Sequence, residues 1–133
     1  MTRRIKIIIF AVVLFLCITG VLVVLLQDDP AEIQTFDISE YEYYINTFSS
    51  EEYLEPFSDV QGLLTETERI WVNLYGESVK EEKPYQVHYD KQADVWLVCG
   101  TIQTAPWTIT TGGVAYILVE NNSGKVLAVW HEK

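Results

Sequence analysis

The chain has few of the residues that build disulfides and metal centres, with two cysteines, two histidines and one methionine among 133 residues. Cys17 lies in a long apolar run, which leaves Cys99 alone in the rest of the chain, so an internal disulfide of the domain is excluded. Cys99 lies in an apolar segment typical of a buried strand, where a thiol is a small core residue rather than a nucleophile. No zinc-binding spacing surrounds His88 or His131. We therefore expect no metal and no other cofactor.

Signatures of catalysis are also missing. The sequence contains no G-x-S-x-G nucleophile elbow, phosphate-binding loop or dinucleotide fingerprint. The nearest approach to a catalytic constellation is the run His88-Tyr89-Asp90. In a strand, Tyr89 would face away from the other two side chains, because successive residues point to opposite faces. The sequence therefore predicts a protein that is not an enzyme and has no catalytic residues.

Basic residues are scarce after residue 26, where nineteen acidic residues outweigh six basic ones and leave a formal net charge of −13. A charge of this sign repels nucleic acid and anionic lipid headgroups, so we expect no nucleic-acid partner. The same charge attracts basic proteins, and it also keeps an aromatic-rich domain soluble. Both interpretations of the acidic surface stay open at the level of the sequence.

One long apolar run stands out against this acidic background, since Ile7 to Leu26 contains no charged residue and sixteen Ile, Leu, Val or Phe. As a helix, twenty residues extend about 30 Å, the thickness of a bilayer core. The run is longer than the apolar region of a cleaved signal and ends without a small-residue cleavage site. Cys17 is not preceded by the small residues found before lipid-modified cysteines. We expect an uncleaved transmembrane helix at 7–26, with a cleaved signal as the alternative.

The flanking charges predict the orientation of this span. Three basic residues precede it and acidic residues follow it. The positive-inside tendency then places the amino terminus in the cytoplasm and the domain outside, in a single-pass protein of the cell membrane. The predicted organisation is a cytoplasmic segment at 1–6, the span at 7–26, an acidic linker at 27–38 and one domain at 39–133.

Two capping boxes predict helices in the first half of the domain. Ser39–Glu42 and Thr65–Glu68 each place a hydroxyl and a carboxylate where they can satisfy each other's unpaired backbone donors. Each box is followed by one apolar stripe at helical spacing, and Gly76 is a plausible stop for the second helix. The apolar cluster at 54–64 between them has no clear assignment.

The second half of the domain reads as β structure. Its strand-like runs are 85–89, 95–102, 114–119 and 126–130. Short turn-rich connections at 90–94 and 121–125 predict antiparallel hairpins, whereas the loop at 103–113 is longer. Helices followed by an antiparallel sheet form an α+β fold. Two short helices cover one sheet face, so we expect the other face to meet a dimer mate, a partner protein, or the segment 54–64 folded back.

Several of these segments in this order resemble one family. They are Tyr75–Glu77, Glu82–Tyr85, Asp94–Thr101, Gly112–Tyr116 and Ser123–Leu127. Together they resemble the NTF2-fold immunity proteins, small bacterial proteins associated with polymorphic toxin systems, over about residues 65–133. The resemblance implies an NTF2-like, cystatin-like cone in which a curved sheet wraps around helices. It also implies a non-enzymatic protein that binds and neutralises a cognate toxin.

The residues shared with that family on these motifs are Trp96, Gly100, Gly112, Gly113, Gly124 and Lys125. They look architectural, because tryptophan in a strand buries a large area and glycines permit turns or bulges. Partner contacts are expected elsewhere, and aromatic side chains are the favoured anchors of interfaces. Trp107, in a loop, and Trp130 are therefore the candidate toxin-binding residues.

Two other functions compete with toxin binding. The segment Tyr116–Leu127 also resembles the hairpin of PepSY modules, which implies a tethered envelope protein that regulates an exported protease. An NTF2-like cone can also bind a small molecule or host an enzyme. A polar, open cavity holding a carboxylate or histidine would favour that second alternative, and a cavity filled by aromatic side chains would not.

Overall fold

The computed structural model describes residues 3–25, 32–102 and 112–133. The chain forms two compact units, Met1–Pro30 and Ala31–Lys133. The first unit contains one helix, α1, at Arg3–Leu25. Among the residues that the structure describes, no helix combines the length and the apolar character needed to cross a bilayer. The transmembrane helix at 7–26 therefore lacks support from the structure and stays a prediction.

The second unit is built on one five-stranded sheet. Its strands are β1 (Ile33–Thr35), β2 (Gln86–Asp90), β3 (Val95–Cys99), β4 (Ala115–Glu120) and β5 (Val126–His131). They lie in the order β1-β2-β3-β4-β5, with β1 parallel to β2 and the others antiparallel. The four predicted strands are present, with ends shifted by up to three residues. The α+β class is confirmed.

Strand β1 was not predicted, and it lies inside the segment 27–38 that the sequence indicated as a linker. Ile33 pairs with Val87 and Thr35 with Tyr89, so the domain already includes these residues. All three β1 residues are exposed. Since none of them is buried, this segment does not need the alternation of apolar and polar residues by which a strand is recognised in a sequence. These residues belong to the sheet because their backbone pairs with β2.

The helices begin at other residues than the capping boxes indicated. A 3₁₀ turn at Ile38–Tyr41 precedes α2, which spans Glu42–Thr47. The 3₁₀ turn is capped by the Asp37 carboxylate, which accepts from the Ser39 amide. Helix α3 spans Val60–Tyr75, and Asp59 caps it by accepting from the Gly62 amide at 2.7 Å. Both predicted boxes were therefore wrong, because an aspartate two or more residues upstream provides the acceptor.

The end of α3 agrees with the prediction. Gly76 lies at its carboxyl end with φ +88°, a conformation that favours glycine. The segment that follows forms a 3₁₀ helix at Glu77–Glu82 and buries Val79.

Each face of the sheet is covered by a different helix. On one face, α3 packs Leu63, Ile70 and Trp71 against the strands. On the other face, the 3₁₀ turn and α2 pack Tyr41 and Tyr44 against Leu97, Leu118, Ala128 and Trp130. The expectation that both helices cover one face was wrong, so no bare face requires a dimer mate. The segment 54–64 does fold back, since Leu54 is buried in the α3 core.

Candidate functional site

Trp130, one of the two predicted partner contacts, is a core residue. Its indole is 3% exposed and stacks between Tyr44, with ring centroids 4.4 Å apart, and Tyr116, with centroids 5.0 Å apart. Helix α2 lies over it, so the indole is not accessible to a partner. The other predicted contact, Trp107, lies outside the described residues.

Aromatic residues around this stack reach the surface. Tyr43 is 67% exposed, and its ring packs edge-on against Tyr44 at 5.4 Å. Phe48, 39% exposed, follows α2 and packs 6.3 Å from the ring of Trp130. The backbone of Phe48 is held as well, because its carbonyl accepts from the Val129 amide at 3.1 Å. These exposed rings are therefore attached to a rigid core.

The chain then follows the outer edge of β5. The Val126 amide donates to the Glu52 carbonyl at 3.0 Å, and the Leu54 amide donates to the Gly124 carbonyl at 2.8 Å. Between these bonds Tyr53 pairs with Lys125, and the Tyr53 side chain is 54% exposed. The segment thus closes part of an edge that would otherwise present unpaired backbone groups.

We call the resulting patch the α2–β5 edge surface. Its residues are Glu42, Tyr43, Phe48, Glu51, Glu52 and Tyr53, all of which are exposed. From Glu32 through Glu68, both included, the sequence has ten acidic residues and no lysine or arginine. In the described part of the chain, the three glutamates of the patch form no ion pair, whereas Arg69, Lys80 and Lys83 each pair with a glutamate on α3 or the following 3₁₀ helix. The patch is therefore both acidic and aromatic.

Three of the four family glycines lie where a side chain would meet a neighbouring segment. A Cβ on Gly100 would lie 2.8 Å from the Cβ of Glu82 and closer still to its carboxylate. A Cβ on Gly113 would collide with Glu132, and one on Gly124, which has φ +71°, would lie 2.7 Å from the Leu54 carbonyl. These three glycines therefore permit close packing. Gly112 has φ +141° and nothing near it.

The other two motif residues also contact their neighbours in the fold. Trp96 is half-buried, packs with its ring tilted 34° against Tyr89 at a centroid distance of 4.4 Å, and donates its indole N–H to Asn121 at 2.9 Å. Lys125 is half-buried and directly precedes β5, where its carbonyl accepts from the Glu120 amide at 2.9 Å. Both residues hold the turns at this end of the sheet.

Glu82 and His131 form the one histidine–carboxylate pair in the described residues. Glu82 Oε1 lies 2.7 Å from His131 Nε2, and Glu82 Oε2 accepts from the Ala115 amide at 2.8 Å. His131 Nδ1 lies 2.6 Å from the Glu132 carbonyl oxygen. Both ring nitrogens therefore face oxygen atoms of the protein itself.

Tyr75 closes this cluster, with its ring 5.4 Å from that of His131. Burial, followed by the charge of Glu82, raises the pKa of Tyr75 above its ordinary value. The cluster thus connects the 3₁₀ helix to the ends of β4 and β5. Sequence analysis missed it because Glu82 and His131 are 49 positions apart and no motif relates them.

The run His88-Tyr89-Asp90 divides between the two faces of the sheet, as the alternation predicted. His88 Nε2 lies 4.0 Å from the Cys99 sulfur, and burial lowers the pKa of His88. Burial, with the charge of Glu132, raises the pKa of the Cys99 thiol to about 11, so this thiol is inert near neutrality. Tyr89 faces the other way and donates to Asp94.

Asp90 has a structural role on the same face as His88. Its carboxylate accepts from the Ile38 amide at 2.9 Å and from the amides of Gln92 and Ala93, each at 3.0 Å. Donation from Ile38 and then from Ala93 lowers the pKa of Asp90. In residues 3–25, 32–102 and 112–133, no three His, Cys, Asp or Glu side chains converge as metal ligands would.

Comparison with known proteins identifies the shared part of this fold. A family model, NTF2 fold immunity protein, matches residues 64–133, which include most of α3, the 3₁₀ helix after it and strands β2 to β5. Neither the curated proteins nor the solved structures include a match. The five-stranded sheet with its helices is consistent with the NTF2-like fold. Since the matched residues are more than half of the chain, this protein belongs to the NTF2 fold immunity protein family.

Proposed function

We propose that this protein binds a cognate bacterial toxin and neutralises it by steric occlusion. The family match over residues 64–133 carries the proposal. The titratable groups support a binding role over a chemical one, because Glu82, Asp90 and His131 are each engaged by groups of the protein itself. Such a mechanism requires only a stable, complementary surface.

The charge of the domain indicates which toxins it suits. With a net charge of −13 after residue 26, the protein attracts basic partners over a distance of about a Debye length, roughly 10 Å at 0.1 M salt. Rapid association benefits an inhibitor that must reach its toxin before the toxin reaches its target.

We also propose that residues 7–26 anchor the protein in the cell membrane, with the amino terminus in the cytoplasm and the domain outside. The uncharged run and the basic residues before it support this topology. The described side chains of α1 between residues 5 and 16 are exposed on all sides, with Phe10 at 71% and Phe15 at 68%. A helix that is apolar all round needs an apolar environment. An anchored domain would meet a toxin at the membrane.

The competing functions have less support. A PepSY module is a shorter helix-and-hairpin unit, whereas this domain has one five-stranded sheet with helices on both faces. A small-molecule site would favour a polar cavity, but aromatic side chains such as Tyr41, Tyr44 and Trp130 fill the space between α2 and the sheet. The contacts among the described residues favour neither alternative.

The binding proposal is tested by producing the full chain together with the toxin domain encoded by the adjacent gene. We expect growth to be restored and a stable complex to be isolated. Separating the complex should return active toxin of unchanged mass, because occlusion leaves no covalent change. Toxicity that persists with no detectable complex would refute toxin binding, and an altered toxin mass would indicate an enzyme.

The anchor is tested separately by membrane fractionation and alkaline extraction of the full chain. We expect the wild type to stay in the membrane pellet and Val12→Arg/Leu14→Arg to lose this retention, since arginine at a span centre costs about 2.5–3.5 kcal/mol. Thr2→Arg, outside the run, is the control. A wild-type protein found in the soluble fraction at its full mass would contradict the anchor.

A further inference from the structure

We infer that the α2–β5 edge surface is the toxin-binding surface and that the toxin meets it with a basic patch. This inference rests on the proposed function and adds the place and the chemistry of contact. Its first support is the distribution of aromatic side chains. Among residues 32–102 and 112–133, Tyr43, Phe48 and Tyr53 are the exposed aromatic residues, and all three belong to this surface. Exposed tyrosines are favoured anchors of protein interfaces.

The second support is that the surface is held in place before any partner binds. Asp90 accepts from the Ile38 amide at the start of the 3₁₀ turn, and Tyr44 stacks on Trp130 beneath α2. The bonds from Val129 to Phe48 and from Val126 to Glu52 fix the chain beyond α2. Binding through a preorganised surface loses little conformational entropy, so each aromatic contact contributes more to affinity.

The third support is charge, which determines the kind of partner. Glu42, Glu51 and Glu52 are exposed and form no ion pair among the described residues. By contrast, the glutamates of α3 that pair with Arg69 and Lys83 are already compensated. Unpaired carboxylates beside exposed tyrosines complement lysine and arginine, because arginine also stacks on aromatic rings. The partner is therefore a protein with a basic patch.

The position of the surface agrees with a partner-specific role. It lies wholly before residue 64, outside the part of the chain that the family model matches. The shared sheet and α3 can then stay constant while this segment selects the partner. Its attachment to β5 and to Trp130 places it on the shared scaffold.

The test measures the affinity of the full chain for the adjacent-gene toxin domain in several variants. We expect Tyr43→Ala and Tyr53→Ala each to weaken binding about tenfold or more. Leu74→Ala, which truncates a side chain that is 50% exposed on α3, is the matched control and should change affinity less than twofold. Thermal unfolding of each variant checks that the fold is retained.

A second pair of variants tests the charge. Glu51→Lys and Glu81→Lys change the net charge equally, and both positions are exposed. We expect Glu51→Lys to slow association at least tenfold at low salt and to reduce the salt dependence, while Glu81→Lys has a smaller effect. Binding that survives all edge variants unchanged would overturn this inference and leave the proposed function intact. Binding that does not depend on salt would overturn the basic partner, and a wild type that fails to bind the toxin would remove both proposals.

Discussion

The carboxylate of Glu82 lies against the imidazole of His131, with Oε1 and Nε2 2.7 Å apart, and its second oxygen accepts from the Ala115 amide. Gly100 packs directly on this carboxylate, where any side chain would collide with it. One acidic side chain therefore connects β4 and β5 at this end of the sheet, and the glycine of the family motif, directly after β3, provides the space.

This arrangement predicts that Gly100→Ala lowers the free energy of unfolding by about 1–3 kcal/mol, the usual cost of overpacking. In a Glu82→Ala background the same substitution should cost less, because the carboxylate that lies nearest to the new methyl group is gone and only the Cβ of residue 82 stays close to it. Chemical denaturation of the four proteins in this double-mutant cycle measures the coupling. Additive effects would contradict a clash between the new methyl group and the Glu82 carboxylate.

Truncating Trp130 and truncating Tyr43 should change the stability of the domain by very different amounts. We expect Trp130→Ala to lower the free energy of unfolding by about 3–5 kcal/mol, since it removes the centre of a buried aromatic stack. Tyr43→Ala should change it by less than about 0.5 kcal/mol, because that side chain is mostly exposed. Thermal or urea unfolding distinguishes the two. A stable Trp130→Ala variant would mean that α2 does not cover the indole.

The cap of α3 offers a direct test of where the helix begins. Asp59→Ala should destabilise the domain by about 1 kcal/mol, because the Gly62 amide loses its acceptor. Thr65→Ala should have little effect, since the Thr65 hydroxyl donates to the Gln61 carbonyl within the helix. The opposite ranking in urea denaturation would restore the capping box at Thr65–Glu68.

The lowered pKa of His88 leads us to expect that the stability of the domain depends on pH. Burial lowers the pKa of His88 below its ordinary value of 6.5, so the folded protein holds the neutral ring while the unfolded chain takes up a proton. The resulting stability is fully present above about pH 6.5 and is lost as the pH falls through the lowered pKa of the folded state. His88→Gln should remove this dependence. Unfolding curves of both proteins between pH 5 and 8 measure the difference, and parallel curves would contradict the assignment.

The sequence indicated the strands well because their signal is local. Apolar runs at 95–102, 114–119 and 126–130, separated by turn-rich segments, predicted β3 to β5 to within a few residues. The alternation of His88, Tyr89 and Asp90 was likewise readable, since a strand places neighbours on opposite faces. Gly76 ended α3 as predicted, because a glycine can adopt the positive φ required there.

The sites of contact were not readable in this way. Trp130 was expected to bind a partner, but α2 buries it, and this depends on a helix more than eighty positions earlier in the chain. The α2–β5 edge surface was not predicted either. Tyr43 is exposed and its neighbour Tyr44 is half-buried only because of the direction each side chain faces once α2 packs on β5.

The sequence by itself determined the α+β class, the antiparallel hairpins, the acidic charge and the family resemblance, because each depends on residue types and short spacings. The tertiary structure decided which helix covers which face, which aromatic side chains are buried, and that Glu82 meets His131. Those outcomes depend on contacts between residues far apart in the chain, and long-range packing competes with local preference in ways that spacing alone does not encode.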